Sequence, residues 1–180
     1  MRADARRNYE RLLDAARVAF REHGADAPLD DIARKAGVGP GTLYRHFPNR
    51  DALIAAVYRD DVEELCALAY ELLEAGPPEQ ALAGWMRAQL RHVQQKRGLG
   101  AAMLASFGYD SELFAWCRDR LYEASGALLD AARAAGTVRA DVRPPDLLRL
   151  GHGIAVAAER VPEDADRLLG VVLDGLRGTG

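Results

Sequence analysis

The chain has 180 residues, 49% hydrophobic and 28% charged, with a formal net charge of −3. That size suits one large domain, or a small domain joined to a bigger one, with enough apolar residues for a real core. The longest apolar runs, ALIAAVY and GIAVAA, fall far short of the roughly 20 residues of a membrane span, and MRADARRNYE is too charged for a signal-peptide core.

The net charge hides an asymmetry. Residues 1–50 carry ten Lys/Arg against seven Asp/Glu, whereas residues 51–180 carry fourteen against twenty. A basic head on an acidic body suggests that the head meets a polyanion. Cys66 and Cys117 have no metal-ligand spacing and fall in helix-like segments, as buried reduced thiols of a cytoplasmic protein would. No metal and no cofactor is expected.

Few segments alternate like strands, so the expected fold is all-α, with about nine helices. The first helix spans about 4–23, with Leu12, Leu13, Ala16, Ala19 and Phe20 on one side and Gly24 as its stop. The second lies in PLDDIARKAG. Leu29, Ile32, Ala33 and Ala36 form its apolar face, Pro28 falls in the first turn, and Gly37 ends it. The third is short and begins at Pro40, with Leu43 and Phe47 inward. Asn49 is placed to N-cap a long fourth helix over about 50–75.

Further helices are expected at about 79–95, 99–107, 111–135 and 145–160, and a ninth from Pro162. The ninth, with Ala165, Leu168, Leu169, Val172, Leu173 and Leu176, has the clearest apolar stripe of all.

The stretch GVGPGTLYRHFPNR (37–50) stands out. Glycines and a proline crowd a turn between two short helices, the pattern of a helix-turn-helix. In that motif the second helix enters the major groove and its first residues face base edges. With Leu43 and Phe47 inward, Gly41, Thr42, Tyr44, Arg45 and His46 face out or flank. Arg45 suits guanine or phosphate; the hydroxyls of Thr42 and Tyr44, and His46, suit phosphate, sugar or a thymine methyl. Arg50 starts the fourth helix near a phosphate-binding end. Arg6 and Arg7 are expected to form a flexible arm near the backbone or minor groove.

Residues 9–57 resemble the DNA-binding domain of the TetR family of bacterial transcriptional regulators. The likeness rests on LLDAARVAFREHG (12–24) and LDDIARKAGVGPGTLYRHFPNRDALI (29–54). Two positions depart from the family pattern: Pro28 and Gly39 stand where Ser or Thr is usual. The resemblance implies a DNA-binding domain over 1–48 and a ligand-binding and dimerisation domain over 49–180. It also implies a homodimer on double-stranded operator DNA, acting as a repressor that a small-molecule effector releases when the fourth helix pivots. The effector pocket is expected to draw on Trp85, Met86, Met103, Phe107, Phe114, Trp116, Tyr122 and His152. The dimer interface is expected on the last two helices, at Leu148, Gly151, Ala155, Leu169, Val172, Leu173 and Leu176.

An enzyme is not expected. GLGAAM (98–103) lacks the third glycine and the preceding strand of a dinucleotide fingerprint, and no HExxH or CxxC occurs. The alternative is a helical ligand-binding or scaffolding module without a DNA-binding role, which leaves Gly41, Thr42, Tyr44, Arg45 and His46 without a purpose.

Overall fold

The computed structural model describes residues 2–95 and 97–178. Among them are nine α-helices and a 3-10 turn. In order these are α1 (Arg2–His23), the 3-10 turn (Gly24–Asp26), α2 (Leu29–Lys35), α3 (Pro40–His46), α4 (Arg50–Ala75), α5 (Pro78–Gln95), α6 (Arg97–Phe107), α7 (Glu112–Ala134), α8 (Pro144–Ala157) and α9 (Asp164–Gly175). The β pairing found among the described residues is one isolated antiparallel bridge, Val138 with Arg177.

The expected helices are all present, with local differences. Pro28 caps α2 rather than entering it: its backbone is extended (φ −63°, ψ 126°), and its carbonyl accepts from the N–H groups of Asp31 and Ile32. The eighth helix stops at Ala157 and the ninth starts at Asp164. Pro162 disfavours helical backbone at Val161 just before it, so the eighth helix does not run on into the ninth.

The chain divides into two compact units. One is Met1–Asp61 with Lys96–Phe114; the other is Val62–Gln95 with Ala115–Gly180. The first, the head, packs α1 on α2, α2 on α3, and α6 on α1 and the 3-10 turn. Leu12, Ala16, Phe20, Ile32, Leu43, Leu53 and Val57 are buried at its centre.

The turn between α2 and α3 is a closed hydrogen-bonded device. Gly37 has φ +66°. Its N–H donates to the Arg34 carbonyl, and the Val38 N–H donates to the Ala33 carbonyl, both at 3.0 Å. This is the Schellman arrangement, in which one left-handed residue lets two orphan carbonyls find donors. Pro40 occupies the first turn of α3, as expected.

In the second unit, the body, α5 packs on α8 and α9, and α8 on α9. Trp85 is fully buried and its indole N–H donates to the Leu65 carbonyl at 2.9 Å. Gly151 on α8 admits Gln89 of α5: a Cβ at 151 would lie 1.7 Å from Gln89 Oε1. Cys66 and Cys117 are buried and outside any disulfide, and burial pushes the Cys66 thiol up to about 11. Burial also lowers His92 to about 4, so it is neutral near pH 7.

The two turn glycines separate conformation from space. Gly39 has ordinary extended angles (φ −72°, ψ 151°), and nothing lies within 4 Å of a Cβ built there. Gly37→Ala is therefore expected to destabilise the protein by about 1–2 kcal/mol. Gly39→Ala is expected to be neutral or stabilising by about 0.5 kcal/mol. Urea denaturation of both variants checks this, and equal midpoints would show that the turn does not depend on the left-handed residue.

Candidate nucleic-acid interface

The second helix of the motif, α3, has seven residues. Leu43 (1% exposed) and Phe47, just past its end (3%), turn inward. At 100° per residue, Gly41, Thr42, Tyr44 and Arg45 share the opposite half of the circumference. Gly41, Tyr44 and Arg45 are exposed and Thr42 is half-buried. Tyr44 is 48% exposed, a large aromatic on open surface. Arg45 Nε donates to the Gly41 carbonyl at 3.2 Å, which lays the guanidinium back along the helix toward its start. No carboxylate among the described residues pairs with Arg45. Nothing lies within 4 Å of a Cβ at Gly41, so packing within the chain does not require glycine there.

His46 takes a different place from these four. Its ring lies 5.9 Å from Tyr9 and 6.1 Å from Phe47, and Tyr9 lies 5.2 Å from Phe47. The three rings join α1 to the end of α3, and His46 is half-buried in that cluster. Tyr9 escaped the sequence reading because its partners lie far away along the chain. Burial, then the Asp60 carboxylate, raises its hydroxyl pKa.

Arg50 also has an internal task. Its Nη1 donates to the Ala27 carbonyl at 2.6 Å and so holds the start of α4 to the chain entering α2. Asn49 caps α4 as expected, its Oδ1 accepting from the Ala52 N–H at 2.8 Å. Arg6 and Arg7 are not a flexible arm. Both lie in the early turns of α1, where helix-spaced carboxylates hold them: Glu10 pairs with Arg6 at 2.9 Å, and Asp4 pairs with Arg7. Both side chains are nevertheless well exposed.

The expected pocket residues are spread over both units. Met103, Phe107 and Phe114 belong to the head; Trp85, Met86, Trp116, Tyr122 and His152 belong to the body. Trp85, Met86 and Met103 are fully buried, which is how core side chains behave. Phe107, Phe114, Trp116 and Tyr122 are half-buried, and His152 is exposed. Phe114 lies 6.3 Å from Tyr58 and 5.7 Å from Tyr109, itself 74% exposed.

Of the expected interface residues, Gly151, Ala155, Leu169 and Leu176 are buried within the single chain. Their stripe is the one that fastens α8 and α9 to the body. Leu148, Val172 and Leu173 are half-buried. The apolar groups left exposed on these helices are Leu150 (37%), Val156 (56%) and Val171 (64%), with Gly153 and Ala157 beside them on α8.

The chain matches two known families. Residues 12–57 match the bacterial regulatory proteins of the tetR family, and residues 77–178 match the SbtR-like transcriptional regulator C-terminal domain. Its structure is similar to the TetR transcriptional regulator SCO0520 from Streptomyces coelicolor. That likeness has a TM-score of 0.82 and 43% identity over 95% of this chain and 99% of the other. The HTH-type transcriptional repressor Rv1474c of Mycobacterium tuberculosis is 31% identical over 144 residues, 77% of this chain and 72% of the relative. The HTH-type regulator UidR of Escherichia coli is 37% identical over 75 residues, a match spanning 41% of this chain and 38% of UidR. These matches, with the turn and the α3 face described above, show that the chain belongs to the TetR family of bacterial transcriptional regulators.

Proposed function

We propose that the protein is a cytoplasmic, sequence-specific DNA-binding repressor, a homodimer released from its operator by a small-molecule effector. The outward face of α3 carries the reading. It places a guanidinium with no carboxylate partner among the described residues and a 48% exposed tyrosine beside a side-chain-free Gly41 on the helix that follows the turn. A purely ligand-binding or scaffolding module has no use for that set.

In this reading Arg45 reads a base edge or holds a phosphate, and Tyr44 and Thr42 give hydroxyls to the backbone. Gly41 lets the helix approach closely. Exposed Arg6 and Arg7 add charge along the backbone from a folded helix. His46 and Arg50 act one step removed, by setting the tilt of α3 and the start of α4.

The second copy would cover the exposed apolar groups of α8 and α9: Leu150, Gly153, Val156, Ala157 and Val171, with half-buried Leu148, Val172 and Leu173 at the margin. A two-fold dimer presents two copies of α3 to half-sites about 34–36 Å apart, one DNA turn. The effector site is assigned to the body and its half-buried aromatics, Trp116 and Tyr122. An effector that binds the non-DNA state more tightly by about 1–3 kcal/mol shifts operator affinity by roughly 5- to 150-fold.

Selection from random double-stranded DNA tests the reading. The wild-type chain should enrich a two-fold symmetric sequence. Arg45→Ala should lower affinity for it by about 1–3 kcal/mol and relax the preference at one position per half-site if Arg45 reads a base. Enrichment of no sequence would exclude specific recognition. A second test addresses the dimer. Val156→Asp should yield monomers in sedimentation velocity without loss of helix, because the side chain is exposed in the single chain; a fully dimeric variant would place the interface elsewhere.

A further inference from the structure

Arg17 on α1 reaches three carboxylates of the head. Its Nε donates to Asp61 Oδ1 at 2.6 Å, its Nη1 to Asp14 Oδ1 at 3.0 Å, and its Nη2 to the Asp60 carboxylate. Asp14 is a neighbour on α1, whereas Asp60 and Asp61 lie on α4. Asp61 is only 6% exposed and the Arg17 side chain 20%. A pair so placed is poorly screened by salt, unlike an ordinary surface ion pair.

The position of this contact matters. Asp61 is the last residue of α4 that belongs to the head. At the other end of the same segment, Arg50 is hydrogen-bonded to the Ala27 carbonyl. Between the two ties Leu53, Ile54 and Val57 are at most 1% exposed. Residues 50–61 are thus fixed to the head at both ends and along their length.

We infer that Arg17 is a positioning residue for DNA recognition: by clamping Asp60 and Asp61 it locks the angle between α1 and α4, so that the three-helix head and the first half of α4 move as one rigid body. A displacement of α4 then turns α3 by the same amount instead of bending the helix within the head. Two heads on a dimer keep a fixed separation only if this angle is stiff. The inference rests on the DNA-binding reading for its consequence, but the stiffness is a property of the head alone.

Arg17→Met by itself takes the guanidinium away from the buried Asp61 carboxylate, so the variant to use is Arg17→Met with Asp61→Asn, which leaves without Arg17 only the more exposed carboxylates of Asp14 and Asp60. Asp60→Asn is the milder second variant. Fluorescence anisotropy on the full chain compares the enriched operator, operators with one or two base pairs inserted between the half-sites, and a single half-site. The wild type should favour the native spacing by about tenfold or more over the insertions, since half-site spacing is a geometric requirement. The double variant should reduce that preference to about twofold while half-site affinity stays within about twofold, and Asp60→Asn should fall between. An unchanged spacing preference would overturn the inference. So would half-site and full-operator affinity falling together, which marks a merely structural role. Hydrogen exchange separates this result from the DNA-binding reading itself. Amides of 50–61 should exchange faster in the double variant while those of α2 and α3 do not change. Equal protection in both proteins would refute the clamp whether or not the wild type binds DNA.

Discussion

A seven-residue helix has no stability of its own in water, because nucleating a helix costs more than so few hydrogen bonds return. Yet α3, the helix with the proposed recognition face, is that short. Everything else in the head answers this constraint. The Schellman turn at Gly37 sets where α3 begins, Pro40 fixes its first backbone angle, and Leu43 and Phe47 fasten its inner face. The rings of Tyr9 and His46 hold its far end against α1. The outer face, with Gly41, Thr42, Tyr44 and Arg45, is thereby left free of packing duty, as the proposed DNA-binding role requires.

The same division of labour extends to charge. Arginines that look alike in the sequence do different jobs in the head. Arg17 and Arg50 are part-buried and tied to groups far along the chain, so they govern geometry. Arg6 and Arg7 are paired within α1 but exposed, so they contribute field. Arg45 alone combines exposure, the outward face of α3 and no carboxylate partner among the described residues. The excess of positive charge over 1–50 is a sum over these roles, and only part of it is available to a polyanion.

Local chemistry made much of the fold legible. Gly37, Pro40, Asn49 and the apolar spacings mark where helices begin and end, and these signals depend on neighbours within four or five residues. What the sequence did not show depends on contacts between distant residues. Nothing in its pattern links Arg17 with Asp60 and Asp61, Tyr9 with Phe47, or Gln89 with Gly151. Periodicity also reveals an apolar stripe without saying what covers it. Leu169 and Leu176 fit an interface and a core equally well by spacing, and burial assigns them to the core of the single chain. Arg6 and Arg7 were misplaced for a related reason. An arginine-rich start suggests a loose arm, but Asp4 and Glu10 at helix spacing favour a continued helix. The outward side of α3 was legible because Leu43 and Phe47, four residues apart, mark its inward side.

The proposed function requires that the head recognise sequence and not merely attract a polyanion. Salt-dependent anisotropy of the full chain, on its enriched operator and on a scrambled duplex between 50 and 200 mM salt, tests this most directly. Sequence-specific binding should show a steep log–log loss of affinity on both duplexes, with the operator held roughly a thousandfold or more tighter throughout. Equal affinity for the two duplexes, falling with the same slope, would contradict it and reduce the head to a basic surface.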